Sequence, residues 1–162
     1  MPTVTRLVTL VDLDDRVVSP EIRDAPIIDG PAPAGFEPAA IPMIHGEPDD
    51  DPTRMSFVVL HLAVLDDGRR VTLLDDRGWG AAGSPDLWER TTVDEIADDA
   101  RTVVGPDEAY GDHSQYDMAD EHWARLATTL REHDVIISGT DLGLLPHDVE
   151  LSQRLRARLG RS

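Results

Sequence analysis

Apolar and polar positions divide the chain into a strand-patterned first half and a helix-patterned second half. Residues 4–11 (Val-Thr-Arg-Leu-Val-Thr-Leu-Val) are rich in β-branched side chains and predict a strand, with Asp14-Asp15 as a turn and Arg16-Val17-Val18 as a short return. Residues 56–65 (Ser-Phe-Val-Val-Leu-His-Leu-Ala-Val-Leu) are almost continuously apolar, the pattern of a central strand buried on both faces. Asp66-Asp67-Gly68-Arg69 supplies a hairpin turn and residues 70–74 the returning strand. His61 interrupts the apolar run, and a histidine in that setting reads as a cross-strand or core residue. Trp79, between Gly78 and Gly80, reads as an aromatic anchor on a flexible connector.

The helical period takes over at Thr92. Thr92-Val-Asp-Glu95 is a capping box, in which the hydroxyl accepts a backbone N–H and the glutamate reaches back. Val93, Ile96, Ala97, Ala100, Val103 and Val104 follow at helical spacing until Gly105-Pro106. A second helix is expected from Asp117, with Ala119, Trp123, Leu126, Ala127 and Leu130 as its buried stripe. Residues 135–137 read as a short edge strand or a core contact, and residues 140–145 as one helical turn. Pro146-His147-Asp148 opens a last helix, with Leu151, Leu155 and Leu159 on one face and Glu150 paired with Arg154.

Between the first two strands the periodicity fails. Seven of the 12 prolines lie in residues 21–52, which predict a long irregular loop. The expected fold is therefore α+β: one domain over residues 1–162, with a mainly antiparallel sheet of about four strands covered on one face by three C-terminal helices. Trp123, Leu126, Leu130, Ile96, Val103, Leu151 and Leu155 should meet Val59, Leu62 and Val64 in a single core.

Charge changes this picture from architecture towards partners. The chain has 32 acidic residues against 15 basic ones, a net charge of −17, and all of its bases are arginine. Residues 1–52 carry 11 acids and 3 arginines, a net −8, and residues 91–134 carry 12 and 3, a net −9. The remaining two segments are nearly neutral. GC-rich coding or a salt-rich cytoplasm also produces such compositions, and position along the chain is more informative than the total. An anionic surface repels nucleic acid and anionic membrane, which are bound through cationic side chains, and attracts a basic protein. There are no cysteines, so disulfides and thiolate metal sites are excluded. The N-terminus has no secretory pattern and no apolar run is long enough to span a bilayer, which makes a cytoplasmic location the expectation.

Candidate chemistry gathers around residues 105–122. Tyr110, Asp112, His113, Tyr116, Asp117 and Asp120 combine carboxylates with aromatic anchors, the pairing used to steer and then hold a basic partner. Nuclease inhibitors, immunity-type proteins and nucleic-acid mimics share this acidic composition. The alternatives are a small metal-dependent enzyme using His113, Asp117, Glu121 and His122, or an accessory subunit of a larger complex. Against the metal stands the preference of Asp and Glu for a helix N-terminus, together with the lack of HExxH, HxH or DxD within residues 105–122. Ser114 beside His113 lacks a GxSxG frame, so no catalytic residue is assigned and no cofactor is expected. The reading is a non-catalytic, acidic binding protein. If the second helix docks through its stripe, Leu126→Ala should cost roughly 2–5 kcal/mol in urea unfolding, whereas a loss of less than about half a kcal/mol would undock it.

Overall fold

The structure is a computed structural model describing residues 2–14 and 51–160. The expected return at Arg16-Val17-Val18 and the 21–50 part of the proline-rich loop lie outside the described residues. Among those residues, four strands form a mixed, mostly antiparallel sheet: β1 (Val4–Leu13), β2 (Arg54–Leu65), β3 (Arg70–Ala82) and β4 (His147–Leu151). Their spatial order is β3-β2-β1-β4. Five helices accompany them: α1 (Leu87–Arg90), α2 (Val93–Val103), α3 (Gln115–Glu132), α4 (Gly139–Gly143) and α5 (Gln153–Gly160). The class is α+β. No helix among the described residues is long and apolar enough to cross a membrane.

The β1–β2 and β2–β3 pairs are antiparallel, whereas β4 runs parallel to β1. β3 and β4 are opposite edges of the sheet and run in the same direction, so the chain crosses from one to the other through α1 to α4. The acidic residues 105–120 therefore sit on a crossover pinned at both ends to the sheet.

The period of two decides which side chains meet. Leu7, Ala63, Leu65, Val71 and Leu73 pack with Leu126, Ala127 and Leu130 of α3 and with Leu142 of α4. Val11, Leu13, Phe57 and Val59 pack with Trp88, Ile96, Ala100, Val104 and Leu155. Leu62 and Val64 instead join Val8, Leu10 and Leu60 in a third cluster. The expected single core is thus divided, because Leu62 and Val64 alternate with His61 and Ala63 and point to the other side of β2.

Two further expectations are corrected. The segment around Trp79 is the second half of β3, not a connector: Phe57 pairs with Trp79 and Val58 with Gly78. The two rings pack with centroids 4.8 Å apart. Gly78 is required by that pairing, since a Cβ there would strike the Phe57 carbonyl. Residues 147–151 form β4 rather than the start of a helix. Ser152 then both extends the ladder, donating to Val11 O at 2.9 Å, and accepts Leu155 N at 3.3 Å as the helix begins.

Arg154 accordingly pairs with Asp12 and not with Glu150, whose partner is Arg70 at 3.7 Å. Asp12 is buried, its Oδ1 accepting from Ser152 Oγ at 2.7 Å and Arg154 Nε at 2.9 Å, and its Oδ2 from Arg154 Nη2 at 3.0 Å. These bonds fasten α5 to the end of β1. Val135 is buried as a core contact, with no strand at 135–137.

Gly78→Ala should destabilise the protein by roughly 1–3 kcal/mol in chemical denaturation, because two paired backbones would have to separate. A neutral substitution would show that β2 and β3 can spread there.

Candidate functional site

The predicted partner-binding residues occupy one continuous stretch, and local bonds fix its shape. α3 begins two residues earlier than expected. Ser114 is its N-cap, accepting Asp117 N at 3.1 Å, while Asp117 Oδ2 accepts Ser114 N at 3.0 Å. Ser114-Gln-Tyr-Asp117 is thus a capping box with aspartate in the glutamate position, a signal legible in the sequence. Ahead of it, Tyr110 and His113 exchange backbone hydrogen bonds of 3.2 and 2.9 Å. Gly111 completes that tight turn with φ of +57°, a left-handed conformation that suits glycine. The Gln115 side chain accepts Ala109 N and donates to Asp107 O. Arg77 on β3 donates to Val103 O and Gly105 O at 2.9 and 3.1 Å and pairs with Asp107 at 3.5 Å.

On this fixed backbone the side chains point outward. Tyr110 and Tyr116 are 78% and 79% exposed, and Asp112, His113, Asp117 and Asp120 are exposed as well. Most arginines with a resolved partner are committed elsewhere, Arg125 to Glu121, Arg101 to Asp98 and Arg90 to Asp86. No described arginine pairs with Asp112 or Asp120.

The residues considered for a metal are not brought together. His113 lies in the exposed turn, Asp117 is engaged as the helix cap, and Glu121 faces outward to Arg125. His122 turns into the protein, where it is buried against the Val104 backbone. Among the described residues no group of three or more His, Asp or Glu could hold a metal ion.

A second polar feature lies beneath this surface. Thr9, His61 and His147 sit on three neighbouring strands between the two helix-facing apolar clusters. Thr9 Oγ1 is 2.9 Å from His61 Nδ1 and 2.7 Å from His147 Nε2. A hydroxyl has one proton, so with neutral rings it donates to one imidazole and accepts from the other. The β2–β3 ladder shifts register on either side of His61, whose Nε2 is buried without a hydrogen-bond partner.

Burial lowers the His61 pKa to about 3, reinforced by His147, His122 and Arg77 nearby. Burial and then Arg77 and Arg125 lower His122 to about 4, and burial followed by Arg101 lowers His147. Sequence reasoning placed His61 in the core across strands but did not pair it with Thr9 and His147, which are far away in the chain.

Comparison with protein-family models, curated proteins and solved structures gives no match to this chain.

The buried His61 and His122 and the half-buried His147 make stability depend on pH with a definite sign. They are held neutral in the fold, whereas the unfolded chain protonates them near pH 6.5. Their contribution is complete above that pH and erodes as the pH falls towards the folded values. Each contributes a slope of roughly 1.4 kcal/mol per pH unit where the unfolded ring is charged and the folded one is not. His61→Leu should therefore flatten the stability profile by about that slope between about pH 6 and pH 4. An unchanged slope in denaturant titrations would mean that His61 is hydrated.

Proposed function

We propose that this chain is a non-catalytic binding protein that docks a basic protein partner through residues 105–120. The observation that carries this reading is the placement of Tyr110 and Tyr116. Both are nearly four-fifths exposed, on a loop whose backbone is already bonded to itself and to Arg77. Exposed tyrosines offer large, rigid contact area with little entropy left to lose, and a preformed loop removes the further cost of ordering it.

Asp112 and Asp120, unpaired among the described residues, provide the long-range field. Opposed charge raises the rate of encounter, and the desolvated rings then slow dissociation. Asp117 contributes charge as well, but its carboxylate also holds the start of α3. Its removal would mix binding with folding, so the informative charge variants are Asp112→Lys and Asp120→Lys.

The test is an NMR titration of the full chain with a short Lys/Arg-rich peptide that also carries apolar residues. The largest shifts are expected at residues 109–120, weakening as salt is raised. Replacing both tyrosines by alanine should lower affinity by roughly tenfold or more. The two charge reversals should slow association and flatten its salt dependence. Shifts of equal size around Asp66, Asp75 and Asp148 would reduce the acidity to a general coat and overturn the proposal.

A further inference from the structure

A cleft of about 280 Å³ opens beside the candidate surface, between α3 and α4, lined by Asp120, Trp123, Ala124, Gly139 and Thr140. Its walls come from a close helix contact. A Cβ on Gly139 would lie 3.0 Å from Ala124 N, and one on Gly143 would lie 3.1 Å from the Trp123 indole. Two glycines four residues apart thus let α4 settle directly on α3. The His122 ring meets the same indole edge-on at 4.9 Å, so Trp123 is fixed from more than one side. Asp120 is exposed at this cleft and has no ion pair among the described residues. Tyr116 precedes Asp120 by one helical turn and Ala124 follows by another, so the cleft continues the tyrosine-bearing face of α3.

We propose that this cleft receives an arginine side chain of the basic partner. The proposal rests on the binding reading above and names what that surface grips. A carboxylate beside an indole is complementary to a side-chain cation, because one neutralises the charge and the ring's electrons attract it. Guanidinium suits the site better than ammonium. It is planar, less strongly hydrated, able to lie along an indole and able to offer paired N–H donors to one carboxylate. The Thr140 hydroxyl on the opposite wall can accept a further N–H. Tyr116 would then cover the stem of the inserted side chain from the neighbouring turn.

The test uses the full chain, isotopically labelled, and a capped Gly/Ser peptide carrying a single arginine. The same peptide with citrulline keeps the shape and loses the charge, and a lysine version keeps the charge and loses the plane. Saturable shifts of the Trp123 indole N–H and the Gly139 and Thr140 amides are expected with arginine. Affinity should fall on the order of tenfold in Asp120→Asn, an exposed and isosteric change, and similarly with citrulline. Equal binding of the citrulline peptide, an unaffected Asp120→Asn variant, or tighter binding of lysine would each overturn the assignment. If the polybasic peptide still shifts Tyr110 and Tyr116 while the arginine peptide leaves the cleft silent, the cleft falls and the wider binding surface stands. Cleft shifts without any response at residues 109–116 would support the cleft and remove the wider surface.

Discussion

Burial of β1 from Leu7 to Leu13 is the constraint to which the rest of the structure answers. Seven consecutive buried residues leave no water for their polar members, Thr9 and Asp12. An unpaired group in either place would cost on the order of 1–3 kcal/mol for a hydroxyl and more for a carboxylate. Each is therefore served by groups from far along the chain. Thr9 is met by His61 and His147, and Asp12 by Ser152 and Arg154. Those four partners lie on β2, on β4 and at the start of α5. The polar groups of one strand thus select which segments may lie beside it, a specificity that the interchangeable aliphatic contacts of the core do not provide.

That selection fixes the crossover. Once β4 is held parallel to β1, the segment from β3 back to β4 must pass over the sheet, carrying α2, α3 and α4 with it. Arg77 then attaches the crossover to the sheet at its middle, through Val103, Gly105 and Asp107, and His122 ties α3 back to Val104 at the end of α2. The 105–120 loop begins at these attachments, so its geometry is inherited from β3 and the end of α2. These bonds hold an exposed, acidic, glycine-containing loop clear of the core, with its tyrosines displayed.

Much of this was legible from local pattern. The β-branched run of β1, the continuous apolar run of β2, the Asp-Asp-Gly turn and the Thr92 capping box each express short-range physics, and each appears in the structure. Expectations failed where a distant partner decided the outcome. Leu151, Leu155 and Leu159 have perfect helical spacing, yet the first belongs to β4, because pairing with Val11 outweighs the periodicity. Gly78 and Gly80 resemble a connector in isolation, whereas their small size serves the close approach of β2. His122 looked like a possible ligand beside other acids, but helical geometry separates it from Glu121 by a large rotation and turns it inward. The members of the candidate surface could be named without knowing the fold, since charge and aromaticity are visible in the sequence.

The division of labour among the carboxylates follows from the same geometry. Asp12 is consumed by the core, Asp117 by a helix end, and Asp107 and Glu121 by neighbouring arginines. What remains around residues 110–120 is a small set of acids with no internal task, next to aromatic rings that have none either. Net charge by itself would not distinguish a solvated coat from a docking face, because both keep a protein dissolved. Asp76, Asp94, Asp99 and Glu132 are likewise exposed without an ion pair among the described residues, so the distinction lies in what stands beside an acid. Asp120 stands at a cleft whose tryptophan packs closely against Gly139 and Gly143. A surface acid serving solubility needs neither an aromatic neighbour nor a hollow, and it is this pairing at Asp120, not net charge, on which the proposed docking face rests.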